Sequence, residues 1–472
     1  MDAPQQRRTS NSDAKPHVPV VPYPAQGHML ALLDLAALLA RRGLTITAVV
    51  TAGNVALLHP LLAACPSVGV ATLPFPSSPL FPEGCSENTR DIPMKLFLRF
   101  MPHFAALRVP LLTWCQAQRH SLTAIVSDLF TGWTRSVAAA LGARHVMFSP
   151  CTAFYLAVAH SLWRDMPQRC VHDDDRDGVD GAKFSALPGS PSFPWRHLST
   201  IYREYAGGGE VADRVRQIFI WSLESECVVA NTFADLEASY VEHKLPGLEQ
   251  RRLLAVGPLS EAVGVGHTRD RGGKPAVAAA EVAAWLDAFE DSSVVYVNFG
   301  TQFALSPAQA ASMAEALARS QAAFMWAAGS TTVVPEGFEA ATAARGRGVV
   351  IRGWAPQVEI LRHRAVGWIL MHCGTNAMLE AIAAGVAVLA WPMGADHFTN
   401  AALLAEAGFA EGADAVPDAG QMAKAIAAAV GPEGRLVRER AAELRRKAAA
   451  AVAEGGSSHR DLEELVQTLT SA

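Results

Sequence analysis

No run of 18 or more uninterrupted apolar residues occurs in the 472-residue chain, so a membrane-spanning helix is not expected. Charge is scarce: 18% of residues are Asp, Glu, Lys or Arg, against 50% hydrophobic. That balance excludes a disordered chain, which needs low hydrophobicity and high charge. Basic residues are in deficit, 40 Lys and Arg against 45 Asp and Glu for a net charge of −5. Such a chain has no basic footprint for nucleic-acid phosphates, and nucleic acid is not an expected partner. The seven cysteines (65, 85, 115, 151, 170, 227 and 373) are odd in number, scattered and never spaced Cys-x-x-Cys. This argues against a disulfide frame or a zinc site and fits buried thiols of a reducing compartment. Residues 1–16 carry Arg7, Arg8 and Lys15 without a following apolar stretch. They read as a disordered leader rather than a secretory signal, and the cytoplasm is the expected location. No G-x-G-x-x-G follows the first apolar run, and Gly272-Gly273-Lys274 is followed by Pro275. A dinucleotide-binding dehydrogenase and a P-loop enzyme are both disfavoured.

What the chain does contain is alternating strand and helix. Val18–Pro22 is a short apolar run, with Pro19 expected near the strand's start because proline deletes a ladder bond. Met29–Arg42 has helical spacing and ends in Arg41, Arg42 and Gly43, and Leu44–Thr51 is β-branched. This βαβ pattern predicts a parallel sheet covered by helices. Ala124–Asp128 is a further strand. Acidic residues 172–186 and residues 205–210 read as loops.

The pattern starts again at Val294–Phe299. Ser306-Pro307-Ala308-Gln309 is a capping box that opens a helix to about Arg319, and strands follow at 324–328, 349–351, 366–371 and 386–391. A helix is expected from about Asn376 to Ala384, stopped by Gly385, and the tail from Glu433 is helical. The fold class is therefore α/β, with two Rossmann-like doubly wound domains facing across a cleft. Expected boundaries are 17–257 for the first domain, 258–275 for a linker and 276–455 for the second. Residues 456–472 form a last helix expected to pack back on the first domain. Ligands of such sheets lie beyond the carboxyl ends of strands, and the informative residues cluster just after strands.

Residues 354–397 read WAPQVEILRHRAVGWILMHCGTNAMLEAIAAGVAVLAWPMGADH. This segment resembles the signature of plant secondary-product glycosyltransferases, which use a UDP-sugar and have the GT-B fold. Trp354, Gln357, His372, Cys373, Gly374, Asn376, Glu380, Trp391 and Asp396 stand at its positions. PYPAQGH (22–28), SDLFTGW (127–133) and NTFADLE (231–237) extend the likeness over nearly the whole chain.

Chemistry agrees with that resemblance. Trp354, with Ala355 beside it, can offer a π face to a base. Gln357 and Glu380 can bond ribose hydroxyls. His372, the main chain around Gly374 and Asn376 at a helix N-terminus, with Thr301 from a second side, can hold a diphosphate. No metal and no cofactor beyond the UDP-sugar co-substrate is expected.

An acceptor hydroxyl needs a base, and His28 is the candidate, with Asp128 behind it to fix the tautomer and balance the imidazolium. The resemblance implies that this pair is catalytic and that transfer inverts configuration. Four positions depart from the usual signature: Thr375 for Trp, Ala377 for Ser, Ala387 for Pro and His397 for Gln. The hydroxyl missing at Ala377 is worth ~1.5–3 kcal/mol against a charged phosphate. Thr375 is expected to reshape the sugar pocket. His397 is expected to offer the sugar one donor and one acceptor.

A terminal His occurs in branches that use galactose or rhamnose. Together with FSP at 148–150, it gives the chain the look of the flavonol 7-O-rhamnosyltransferase branch. Rhamnose or glucose is the expected sugar, with galactose as a further alternative. A small phenol such as a flavonoid is the expected acceptor, with Phe97, Phe148, Pro150 and Trp195 as candidate pocket residues. The expected state is monomeric. The alternative is a catalytically weak UDP-sugar-binding paralogue, for which the substitutions at 375, 377 and 387 speak.

Overall fold

Two parallel sheets organise the computed structural model, which describes residues 16–118, 122–167, 169, 181–243, 245–262, 275–329, 331–404, 409 and 415–471. Most of the expected leader and linker, and positions 172–180 of the acidic loop, lie outside the described residues. The first sheet contains β1 (His17–Val21), β2 (Thr45–Thr51), β3 (Gly69–Leu73), β4 (Ala124–Asp128) and β5 (Arg144–Ser149). A small antiparallel hairpin, β6 (Gly181–Lys183) and β7 (Ser192–Pro194), precedes its last strands, β8 (Cys227–Ala230) and β9 (Leu253–Ala255). The order is β3-β2-β1-β4-β5-β8-β9.

The second sheet contains β10 (Val294–Asn298), β11 (Ala323–Ala327), β12 (Gly348–Ile351), β13 (Val366–Met371) and β14 (Ala387–Ala390), in the order β12-β11-β10-β13-β14. Every pairing in both large sheets is parallel. In each, the first strand lies between the second and the fourth, as expected of two doubly wound α/β units.

Both faces of each sheet are buried, which explains why the strands read as continuous apolar runs rather than alternating ones. In β10, Val294 and Tyr296 enter one core and Val295 and Val297 the other. In β1, Val18 and Val20 face the helix Gln26–Arg41, while Val21 faces the opposite core.

Local signals set the helix ends. The Ser306–Gln309 capping box is formed. The helix Thr375–Ala384 stops at Gly385, whose φ of +75° suits glycine. The first helix stops before Gly43 at φ +89°.

Three local readings change. The first helix begins at Gln26 rather than Met29, which carries His28 into its first turn. Pro19 lies in the middle of β1, inside a central strand. It pairs with Thr47 of β2, and the β4 ladder passes it by: His17 bridges Leu122 and pairing resumes at Val20 with Val126. The tail divides into helices Arg435–Val452 and Ser457–Thr470. A Cβ on Gly456 would come 2.1 Å from the Ala450 oxygen, so the break requires glycine there.

That last helix packs on the first sheet's side of the molecule. Leu462, Leu465 and Leu469 share a core with Val18, Leu35 and Val126. Asp461 accepts from the Ala255 amide at 2.8 Å and from Arg252 at 2.5 Å, and Ser458 donates to the Gly257 oxygen at 2.7 Å. Among the described residues no helix is long and apolar enough to cross a membrane. The six described cysteines form no disulfide; five are buried and Cys85 is half-buried.

Candidate active site

A crevice forms where neighbouring connections leave a parallel sheet in opposite directions, beside the first strand of each unit here. In the first unit, the loops that follow β1 and β4 meet there. His28 Nδ1 lies 3.0 and 2.9 Å from the two oxygens of Asp128. Asp128 is fully buried, whereas the His28 side chain keeps 18% of its surface exposed. Bonding at Nδ1 places the imidazole proton on that nitrogen and leaves Nε2 as the basic lone pair. No described residue bonds Nε2.

Asp128 also accepts from the Phe130 amide at 2.8 Å, so it caps the turn Leu129–Thr131 while it holds the histidine. Phe130 lies under the imidazole at 4.6 Å between ring centroids, and Tyr23 meets it edge-on at 5.7 Å. Burial, then the Asp128 charge, push the Tyr23 hydroxyl well above its usual pKa, so it stays neutral. Sequence reasoning missed Tyr23 and Phe130, although both sit within motifs it had singled out.

The second unit presents the loops after β10, β12, β13 and β14. Trp354 is half-buried after β12, and its carbonyl accepts from the Ala276 amide at 2.7 Å. Ala355 is buried beside it. Gln357 donates to Glu380 at 2.7 Å, and its oxygen accepts from the Asn298 amide and the Tyr296 hydroxyl. The two side chains expected at a ribose are thus adjacent and fixed.

Thr301 is exposed in the loop after β10. His372 stands between two glycines: a Cβ on Gly300 would come within 2.9 Å of its ring and one on Gly374 within 2.6 Å. Burial, and His397 against it, push the His372 pKa down to about 3. Gly374 caps the helix Thr375–Ala384, and Ala377 is half-buried in its first turn. The Thr375 amide is taken by Asp396 at 2.9 Å, which leaves the Asn376 and Ala377 amides at that N-terminus.

His397 departs from expectation. Its Nδ1 accepts from the amides of Met393 and Gly394 at 3.3 and 3.2 Å. The ring therefore offers only the Nε2–H donor, because the main chain consumes its acceptor. Burial holds its pKa down to about 3. Nε2 lies 3.8 Å from Asp396 Oδ1, and the ring meets His372 at 4.6 Å and Phe303 at 5.0 Å between centroids. Cys373 and Ala395, beside these residues, have φ of +67° and +50°. Such strain persists only where surrounding contacts over-determine it, and it concentrates at functional sites.

The two units touch across the crevice. Asn376 donates to the Gly27 oxygen at 2.7 Å, Thr152 to Asn400 at 3.1 Å and Gln302 to Thr89 at 3.3 Å.

The acceptor candidates divide. Phe97 and Trp195 are half-buried at the edge of the core that includes Tyr23, Phe100, Phe104 and Phe130. Pro150 is buried just past β5. Phe148 is a correction: it is fully buried in the core under the opposite face, with Val20 and Val229, because strand alternation in β5 turns it away from Met147 and the Tyr23 side. Among the described residues no group of three His, Cys, Asp or Glu could hold a metal ion.

The chain is 41% identical to UDP-glycosyltransferase 89B2 of Stevia rebaudiana, covering 98% of this chain and 99% of that one. It is 38% identical to flavonol 3-O-glucosyltransferase UGT89B1 of Arabidopsis thaliana, covering 98% of both. The chain belongs to the plant UDP-glycosyltransferases. A family model described as UDP-glucoronosyl and UDP-glucosyl transferase matches residues 260–427, the part that bears the second sheet. Among solved structures, Arabidopsis thaliana UGT89C1 in complex with UDP-L-rhamnose superposes with a TM-score of 0.77 at 33% identity, covering 97% of this chain and 100% of that one. The same UGT89C1 has been solved with quercetin. This UDP-glycosyltransferase accordingly has the GT-B arrangement of two α/β domains.

Proposed function

We propose that this glycosyltransferase moves a hexose from its UDP-sugar to a hydroxyl of a flavonoid or similar phenol, in one displacement that inverts the anomeric carbon. The observation that carries the reading is the His28–Asp128 pair, set at the end of the first crevice wall and tied to the second wall through the Gly27–Asn376 bond. His28 Nε2 takes the acceptor's proton as the hydroxyl oxygen bonds to the anomeric carbon. The bond from that carbon to the β-phosphate oxygen breaks, and UDP leaves with the electron pair. Asp128 balances the imidazolium as it forms.

Trp354 stacks on uracil, Gln357 and Glu380 hold the ribose, and His372, Thr301 and the N-terminus at Asn376 hold the diphosphate. Asp396 and His397 meet the sugar. The donor-only His397 favours rhamnose, which lacks the 6-hydroxyl, while the name of UGT89B1 supports glucose. The flavonoid acceptor rests on that name and on the quercetin complex of UGT89C1.

The test offers the protein UDP-glucose and UDP-rhamnose with a small flavonol panel, follows UDP release and weighs the products by mass spectrometry. Glycosylated product that depends on His28 supports the reading. UDP binding without product from either donor would establish the inactive paralogue instead.

A further inference from the structure

The side chains that hold Asp396 at the sugar end of the site have no role in the reading above. Asp396 Oδ2 accepts three bonds: from the Thr375 amide at 2.9 Å, the Thr375 hydroxyl at 2.5 Å and the Asn400 side-chain amide at 2.8 Å. Asn400 is fully buried, and its nitrogen also faces the Cys373 carbonyl at 2.8 Å and Thr375 Oγ1 at 3.0 Å. Its oxygen accepts from the Thr152 hydroxyl of the first domain at 3.1 Å. Only one amide orientation satisfies this set, because the carboxylate and the carbonyl need donors and the hydroxyl needs an acceptor.

Thr152 is itself fixed. It caps the helix Ala153–Asp165 through the Tyr155 amide, and the buried Glu237 takes the Ala153 and Phe154 amides at 2.6 and 2.8 Å. Asp396, next to the strained Ala395, is therefore held by Thr375 and Asn400 of its own domain, and Thr152 of the first domain braces Asn400 from across the crevice.

We propose that Thr375 and Asn400, braced by Thr152, are positioning residues for the sugar half of the donor. They saturate Asp396 Oδ2 and leave Oδ1, beside the His397 Nε2–H, to meet the hexose. A threonine at 375 thus does more than vacate space: its hydroxyl and amide together clamp the carboxylate. The inference rests on the reading of Asp396 and His397 as sugar contacts.

Calorimetric titration of UDP, UDP-glucose and UDP-rhamnose into the wild type, Thr375→Val and Thr375→Ser tests it. Valine keeps the shape and the main-chain bond but loses the hydroxyl. It is expected to weaken the UDP-sugar that the wild type prefers about tenfold or more, while UDP alone stays within about twofold, and serine should restore binding. Thr152→Val, compared with Thr152→Ser, should move the same way and serves if Thr375→Val does not fold. Unchanged UDP-sugar affinity in both valine variants, or equal losses for UDP and UDP-sugar, overturns the proposal. A wild type that binds no UDP removes the functional reading as well.

Discussion

Asn376 donates its side-chain amide to the Gly27 oxygen at 2.7 Å, so the helix that follows β13 leans on the residue next to His28. One side chain thereby touches both the proposed phosphate site and the turn that carries the base. Its Nδ2 keeps a second hydrogen that can donate to a phosphate oxygen, whereas its buried Oδ1 can only accept. Asn376→Ala should weaken UDP about 10- to 150-fold, the loss of one bond to a charged group. Thermal stability should change little, because the bond to Gly27 is exposed. Titration of UDP, read beside a melting curve, separates the two effects.

His28→Ala should lower turnover about 10²- to 10⁴-fold, the usual contribution of a positioned base. Asp128 has two tasks, and two variants part them. Asp128→Asn can still accept from the Phe130 amide but carries no charge to balance an imidazolium. Asp128→Ala loses the cap as well, at ~0.5–2 kcal/mol. Both should lose turnover, and only the alanine variant should melt clearly earlier. If the asparagine variant keeps wild-type kcat, Asp128 is a turn cap alone.

Much of this site was legible because its residues follow strands at fixed spacing, so a correct reading of β10, β12, β13 and β14 places Thr301, Trp354, His372 and Asp396 on one rim. The pairing of His28 with Asp128 was implied by the family resemblance alone, and the strand order supplies its reason: β1 and β4 are parallel neighbours whose carboxyl ends come together. What escaped was side-chain direction. Phe148 belongs to a run whose period is two, and a one-residue difference sends it to the far face. Asn400 gave a weak signal, four residues after Asp396 on a helix, but its bond to Thr152 spans 248 positions and no local pattern encodes it. The histidine tautomer at 397 depends on the path of residues 393–394, which periodicity does not describe.

That tautomer bears on donor choice. His397 presents a single donor, held by two main-chain amides on its other nitrogen. A glutamine there would present an acceptor and a donor on an arm of similar reach with more rotatable bonds. His397→Gln should therefore raise kcat/KM with UDP-glucose relative to UDP-rhamnose by about tenfold, one hydrogen bond's worth of discrimination. A competition assay with both donors in one tube reads the ratio directly. An unchanged ratio would place the choice of sugar elsewhere.

Acid should unfold this protein, and the sign follows from its buried imidazoles. Burial pushes His145, His160, His372 and His397 each down to about 3. Between about pH 6.5 and 3 the unfolded chain holds protons on these rings and the folded chain does not. Stability therefore rises with pH through that window and falls as pH drops below 6.5. Glu237 works the other way: burial raises it to about 7, so the folded state keeps its proton between 4.5 and 7 and its contribution shrinks as pH rises through that range. Asp461, whose pKa burial also raises, adds to Glu237, but the four imidazoles outweigh these two carboxyls, and the net effect of acid is loss.

His160 isolates a single contribution. Its Nε2 is buried with no partner, and its ring packs edge-on against Phe219 at 6.3 Å between centroids. Leucine fills similar space and takes up no proton. His160→Leu should match or exceed wild-type stability at pH 7, and it should flatten the dependence near pH 5 by about 1.4 kcal/mol per pH unit, one proton fewer bound on unfolding. Denaturant titrations at pH 7, 6 and 5 measure that slope. Parallel curves for the two proteins would mean that His160 is already charged in the folded chain, against its apolar surroundings.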